Sequence, residues 1–212
     1  MKKTNDLFAS YELLADKAEA AFLEMQKQHG SCMKCEPHCS DCCHGIFGLF
    51  VIEAGYVKEH FDKLAEEEKK AALLRCENAE KSLERVQNML RAHEGDPEMQ
   101  AYIMSRERIP CPLLNEHQDC ILYPHRPITC RVYGIPTKIQ GKARVCWKAE
   151  FKEGERYPVF DLDGVYRDLY SLSTELIKRA GKDDPEKASL LFSVSKAVTT
   201  PLLDLLRQKL TD

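Results

Sequence analysis

At 212 residues the chain is long enough to bury a hydrophobic core without disulfides to hold it together. Its formal net charge of −3 and pI near 6.2 give no general attraction to nucleic acid or to an anionic membrane, so neither is expected as a partner. The ten cysteines are the compositional feature that needs a chemical explanation.

The opening stretch MKKTNDLFASYELLADKAEAAF has two lysines, but polar residues follow them. It shows no apolar signal core and no small-residue cleavage site. No run approaches the ~18 apolar residues that span a bilayer. A soluble, cytoplasmic protein is the expectation. In a reducing cytosol, clustered cysteines point to metal ligands or redox groups rather than disulfides. Over residues 5–29, Leu7, Tyr11, Leu14, Ala18, Phe22 and Met25 recur every three or four positions. That is the stripe of an amphipathic helix, with Gly30 suited to its C-terminal cap.

The next stretch is CMKCEPHCSDCCHG, residues 32–45, which holds five of the ten cysteines. Cys32 and Cys35 are separated by two residues, as are Cys39 and Cys42. C-x-x-C in a tight turn aims two thiolates at one centre, the local unit of zinc and iron–sulfur sites. Cys42 and Cys43 are adjacent. Neighbouring side chains diverge, by about 100° on a helix or to opposite faces of a strand. The pair therefore suits a cluster with spread iron corners, two adjacent metals, or one ligand beside one unbound thiol.

A helix of residues 53–93 follows, with an apolar seam of Val57, Phe61, Leu64, Ala72, Cys76, Ala79, Leu83, Val86 and Leu90. The charged run EEEKK at 66–70 bends or splits it, and EGDPE at 94–98 stops it. Cys76 sits on the seam, where a thiol packs as a small hydrophobe, and is excluded from the site. Residues 109–148 are rich in proline and short β-like pieces. IPCPLL and DCILY, joined by a polar turn, predict a small hairpin. Cys111, Cys120, Cys130 and Cys146 fall in this segment. Irregular backbone of this kind is stiff only where something holds it, and a metal would do so. A helical region at 163–210 completes the chain. Asp163 and Asp184 are its expected caps, Pro185 its first-turn proline, and Pro201 a kink or restart.

The ordered series CSDCCHG, then Glu53-Ala54, CPLL, CILY and RPITCR resembles the YkgJ-type cysteine-cluster family, whose signature is C-x-x-C-x-x-C-C. The resemblance covers roughly residues 35–150. It implies zinc or iron chelation, with Cys39, Cys42 and Cys43 in the last three signature positions and Cys111, Cys120 and Cys130 as the downstream cysteines. Three residues, not two, separate Cys35 from Cys39. The first position therefore falls to either Cys32 or Cys35, and Cys146 lies near the end of the match. Flagellin lysine N-methylases carry a related cluster. Those enzymes use an iron–sulfur centre with S-adenosylmethionine, and this sequence shows no separate methyl-donor motif.

The expected metal ligands are Cys35, Cys39, Cys42, Cys43, Cys111, Cys120, Cys130 and Cys146. Zinc, iron or a 4Fe–4S cluster is the expected cofactor. Arg126 and Arg131 flank Cys130, where a guanidinium neutralises thiolate charge, clamps an anionic substrate, or forms a local ion pair. His38, His44 and His125 are read as neighbours of the site or as exposed residues. Glu53 is read as a carboxylate in the first turn of its helix. The absence of G-x-x-x-x-G-K-[ST], G-x-G-x-x-G and G-x-S-x-G motifs leaves nucleotide binding and serine hydrolysis without support.

The fold expected is mainly α: one helical domain with an irregular cysteine-rich lobe from residues 32–45 and 111–146, containing at most a short hairpin. Three function classes follow. One is a metal or iron–sulfur protein whose centre staples two distant segments and takes part in modifying a protein or peptide substrate. The others are a structural zinc module that presents helices to a partner, and a metal carrier or sensor.

Overall fold

The computed structural model describes residues 4–36, 38–181 and 184–207. Its architecture is mainly α, with one two-stranded antiparallel hairpin. The first helix, α1 (Asn5–His29), has the bounds its stripe predicts and buries Leu7, Tyr11, Leu14, Ala18 and Met25. The glycine cap does not form. Gly30 keeps a right-handed φ of −57° and passes into a 3₁₀ turn at Gly30–Cys32, closed by Met33 N on Gly30 O at 3.1 Å.

The helix expected over 53–93 is two helices, α2 (Val51–Phe61) and α3 (Glu66–Ala92). The break lies at residues 62–65, before the acidic run. Glu66, Glu67 and Glu68 fill the first turn of α3, where carboxylates favour the helix dipole, so the charges begin a helix rather than interrupt one. Every residue of α2 from Val51 to Val57 is buried, including Glu53 and Gly55, which makes it the central helix.

A further helix, α4 (Pro97–Arg106), stands where the sequence reading placed only a stop. Asp96 accepts the Met99 N–H at 3.0 Å and Pro97 occupies the first turn. α4 packs on α3, with Ile103 against a small cluster of Ala79, Val86 and Ile109.

The proline-rich segment carries a short helix, α5 (Ile128–Val132), and a 3₁₀ turn at Tyr123–His125. The hairpin predicted between 109–114 and 119–123 shrinks to a single antiparallel bridge, Leu114 with Cys120. Asn115 tightens that turn, its side-chain oxygen accepting the N–H groups of His117 (3.0 Å) and Asp119 (2.9 Å). The hairpin that does form is β1 (Thr137–Ile139) with β2 (Lys142–Arg144). Its two-residue loop, Gln140 and Gly141, has positive φ at both positions (53° and 72°), the backbone that matches strand twist.

The segment does not depend on a metal alone for its shape. Leu113, Leu122, Ile128, Val132 and Ile135 are all at most 2% exposed. Burial of such side chains is worth about 1.5–3 kcal/mol each.

The helix α6 (Leu162–Arg179) begins one residue before the predicted cap. Asp163 instead accepts the N–H groups of Gln140 (2.7 Å) and Gly141 (2.9 Å), fastening the hairpin loop to α6. Asp184 and Pro185 act as predicted and open α7 (Pro185–Ala188). The chain then straightens, Phe192 exchanges backbone hydrogen bonds with Leu49, and α8 (Val194–Thr199) starts from Ser193. After Pro201 the helix restarts as α9 (Leu202–Leu205), and residues 208–210 of the predicted C-terminal helix lie outside the described residues. One continuous cluster of buried side chains joins α1, α2, α6, α8 and α9 to the proline-rich segment. Among the described residues, no helix is long and apolar enough to cross a membrane.

Candidate metal centre

Residues Asp41–His44 form a 3₁₀ turn that carries Cys42 and Cys43. Distant parts of the chain fasten it from two sides. Cys111 N donates to Cys43 O at 2.6 Å and Ile109 N to His44 O at 3.0 Å. Asp41 accepts from Arg108 (3.0 Å) and from Trp147 Nε1 (3.2 Å), with Lys148 3.6 Å away. Ser40 Oγ donates to Gln118 at 2.7 Å. These contacts bring the first cysteine segment against the second across 65 or more residues of sequence.

Between the two segments lies a cavity of about 550 Å³. Cys35, Cys39, Cys42 and Cys43 line it from the first segment, and Cys111, Cys120, Cys130 and Cys146 from the second. Cys32 stays outside, its carbonyl accepting from Glu150 N at 2.8 Å. Cys76 is 2% exposed in the α3 seam and also outside. Among the described residues, no three His, Cys, Asp or Glu side chains are gathered tightly enough to form a ready-made single-ion site. The thiols are thus spread around a space far larger than one ion, whose four sulfur ligands would sit only ~2.3 Å away.

Cys42 and Cys43 are closer than their adjacency suggested. Their sulfurs lie 4.0 Å apart, near the ~3.8 Å edge of a tetrahedron with ~2.3 Å metal–sulfur bonds. The 3₁₀ turn, neither α-helix nor strand, brings both thiols into the cavity. Gly134 makes room for Cys35: a Cβ there would stand 2.1 Å from its sulfur.

The electrostatics disfavour free thiolates. Burial pushes Cys35 up to about 11 and Cys111 up to about 12. Cys130 is driven well above the ordinary thiol range, first by burial, then by the neighbouring thiols of Cys42, Cys111 and Cys120. Cys42 is also driven well above the ordinary thiol range, chiefly by its hydrogen bond with Cys43 and then by burial. Cys120 and Cys146 are raised by burial too. Such thiols give up their protons at neutral pH only to a cation that takes their place.

The nearby arginines are already engaged. The Glu19 carboxylate on α1 accepts from Arg126 at 3.0 Å and from Arg131 at 2.9 Å. Arg126 also donates to Tyr123 O, and Arg131 to the carbonyls of Arg126 and Pro124. Of the readings open for these residues, the local ion pair is the one formed, with two guanidinium groups on one carboxylate. All three residues line the cavity.

His38 is exposed at the cavity wall, where its Nδ1 lies 3.1 Å from Asp119 and 3.2 Å from His117 O. His44 Nδ1 bonds to Ser40 O at 2.9 Å. His125 is not among the residues lining the cavity and stacks on His60 at 3.5 Å. Glu53 lies beneath the centre. Its carboxylate accepts the first N–H of α5, Ile128, at 3.2 Å and the Tyr11 hydroxyl at 3.4 Å. Sequence reasoning found its helix position but not this role, because both partners are far away in sequence. The Glu19 bridge to Arg126 and Arg131 escaped for the same reason.

A cavity walled by eight cysteines drawn from two distant segments is the chemistry of a metal-chelating protein. Residues 34–147 match the model of the CxxCxxCC family, described as "Putative zinc- or iron-chelating domain", and the chain belongs to that family. The matched span covers more than half of the chain and includes all eight cavity cysteines while leaving out Cys32. No curated protein and no solved structure gives a significant match.

Proposed function

We propose that this protein binds zinc or iron through a thiolate centre in the cavity, with ligands from both cysteine segments, so that the metal staples residues 39–43 to residues 111–146. The observation that carries the reading is the cavity itself: eight thiols from two distant segments face one space of about 550 Å³. The donor set fits a soft or borderline cation, since thiolates suit zinc and iron–sulfur clusters alike. The size of the space favours an iron–sulfur cluster or a multinuclear site over one structural zinc ion. When bound, the metal would supply Lewis acidity or a redox couple.

The protein's own residues have defined parts in this reading. The thiols hold the metal. Asp41, tied to Arg108 and Trp147, fixes the turn that presents Cys42 and Cys43. Glu19 and its two arginines brace α5, which presents Cys130. The segment's buried leucines and isoleucines already fix much of its shape, which argues for a centre with a chemical task beyond holding the chain. A protein or peptide substrate is the partner class that the accessible cavity favours. Anaerobic purification followed by elemental analysis and an absorption spectrum tests the reading. Iron with sulfide and a brown colour supports a cluster, and colourless protein with stoichiometric zinc supports a zinc centre. Protein without either metal, and unable to take one up, refutes both.

A further inference from the structure

Cys42 and Cys43 have a chemistry of their own. Among the described residues they are the one pair of thiols joined by a sulfur–sulfur hydrogen bond, at 4.0 Å. Their turn, Asp41–His44, is closed by Cys43 N on Ser40 O at 2.9 Å and by Gly45 N on Cys42 O at 3.2 Å. Arg108 and Trp147 hold it from outside through Asp41, and Cys111 N holds it through Cys43 O. Joining the two sulfurs therefore moves no chain segment against another and closes no long loop. Both thiols are half-buried on the cavity wall, so a small solute in that space reaches them.

A bond between neighbouring cysteines is strained. Adjacent Cα atoms are about 3.8 Å apart across a trans peptide, below the about 4.4–6.8 Å ordinary in disulfides. Strained disulfides are the easily reduced ones, and they serve as labile or regulatory bonds rather than structural ones. A bond at this turn would form under oxidising load and be undone by ordinary thiols.

Building on the thiolate-centre reading above, we propose that Cys42 and Cys43 are a redox modification site. In the metal-free chain a small disulfide, such as oxidised glutathione, joins them to each other, and this reversible bond closes the centre to metal. One thiol of the pair gives up its proton, and its sulfur attacks the oxidant. The oxidant's S–S bond breaks, and one glutathione leaves as the thiol with that proton. The second thiol then loses its proton and attacks the mixed disulfide on its neighbour, expelling the other glutathione as a thiol. Two protein thiols are oxidised, and one small disulfide is reduced to two thiols. The modification removes two of the eight cavity thiols at once, both from the turn that faces the second cysteine segment.

The test uses the full chain, stripped of metal, fully reduced, and exposed to oxidised glutathione without oxygen. Thiols left free are alkylated with one reagent, those released by later reduction are labelled with a second, and peptide mass spectrometry reads both. Cys42 and Cys43 should carry the second label together, while Cys35, Cys39 and Cys76 carry the first. Cys42→Ser and Cys43→Ser should each form an internal disulfide at least ~10-fold more slowly than the wild type. Pairing of Cys42 or Cys43 with any other cysteine, or a lasting glutathione adduct in place of the internal bond, overturns the proposal. So do single variants that close a disulfide as fast as the wild type. In a parallel arm, the reduced chain is offered Zn²⁺, or iron with sulfide. Uptake should be lost after oxidation and return with dithiothreitol, and unchanged uptake overturns the gating. A reduced chain that takes up neither metal overturns the thiolate centre and its gating together, while the label pattern alone decides the disulfide.

Discussion

Glu53 offers a test that depends on burial rather than on the metal. Glu53 is 2% exposed, and its carboxyl group accepts the Ile128 N–H and the Tyr11 hydroxyl, with the Phe50 backbone N–H nearby. Burial raises its pKa from 4.5 to about 7, with those hydrogen bonds opposing the rise. The folded state therefore holds a proton that the unfolded chain releases near pH 4.5. Each unit of difference is worth about 1.4 kcal/mol, so the folded state loses about 3 kcal/mol of stability from this group as pH rises from 4.5 to 7. Below that window the group costs nothing, and above it the loss is complete. Glu53→Gln keeps an acceptor oxygen and removes the titration. Urea unfolding of both chains from pH 4 to pH 8 should show them nearly equal at the acid end. The variant should gain on the wild type up to about 3 kcal/mol at pH 8. The thiols titrate in both chains and cancel in the difference. A stability difference that does not change with pH would refute the buried-carboxyl argument.

Other substitutions probe the centre and its bracing. Cys76→Ala should leave metal content unchanged, since this thiol packs in the α3 seam, whereas Cys130→Ser should lower it; elemental analysis of the purified chains separates the two. Glu19→Ala leaves the Arg126 and Arg131 guanidinium groups buried without their carboxylate, and should cost about 2–4 kcal/mol in chemical denaturation. A cost under ~0.5 kcal/mol would mark the bridge as an ordinary surface pair. Removing metal with a chelator should speed amide hydrogen exchange at residues 38–44 and 109–121 while sparing α1 and α6, because the two segments would lose their common staple. Uniform protection before and after chelation would count against stapling.

The parts of the fold set by local patterns were legible in the sequence. The apolar stripe gave α1 its bounds, and Asp184 with Pro185 marked the start of α7. The same Asp-Pro signal at Asp96 and Pro97 was read as a stop, because the acidic flank masked a capped helix start. The break between α2 and α3 was expected within the acidic run and occurs just before it, since Glu66–Glu68 suit a helix N-terminus. The Gln140–Gly141 loop lacks the Asn-Gly signature of its turn type, so the hairpin was expected at 109–123 rather than at 137–144. For the site, C-x-x-C spacing together with the family resemblance picked out the thiols that line the cavity, and the helix periodicity set Cys76 aside. The vicinal pair was misjudged because divergence rules for α-helix and strand do not describe a 3₁₀ turn. Glu19 and Glu53 act through partners 42 or more residues away, which no local pattern reveals.

The central claim is that cysteines from both segments hold the same metal centre. Thiol alkylation of the native metal-loaded chain, compared with the chelated chain and read by peptide mass spectrometry, tests it directly. The account predicts that Cys39, Cys42 and Cys43 gain reactivity on chelation together with Cys111, Cys120 and Cys130, while Cys32 and Cys76 do not change. Protection confined to one segment, or unaffected by removing the metal, would contradict it.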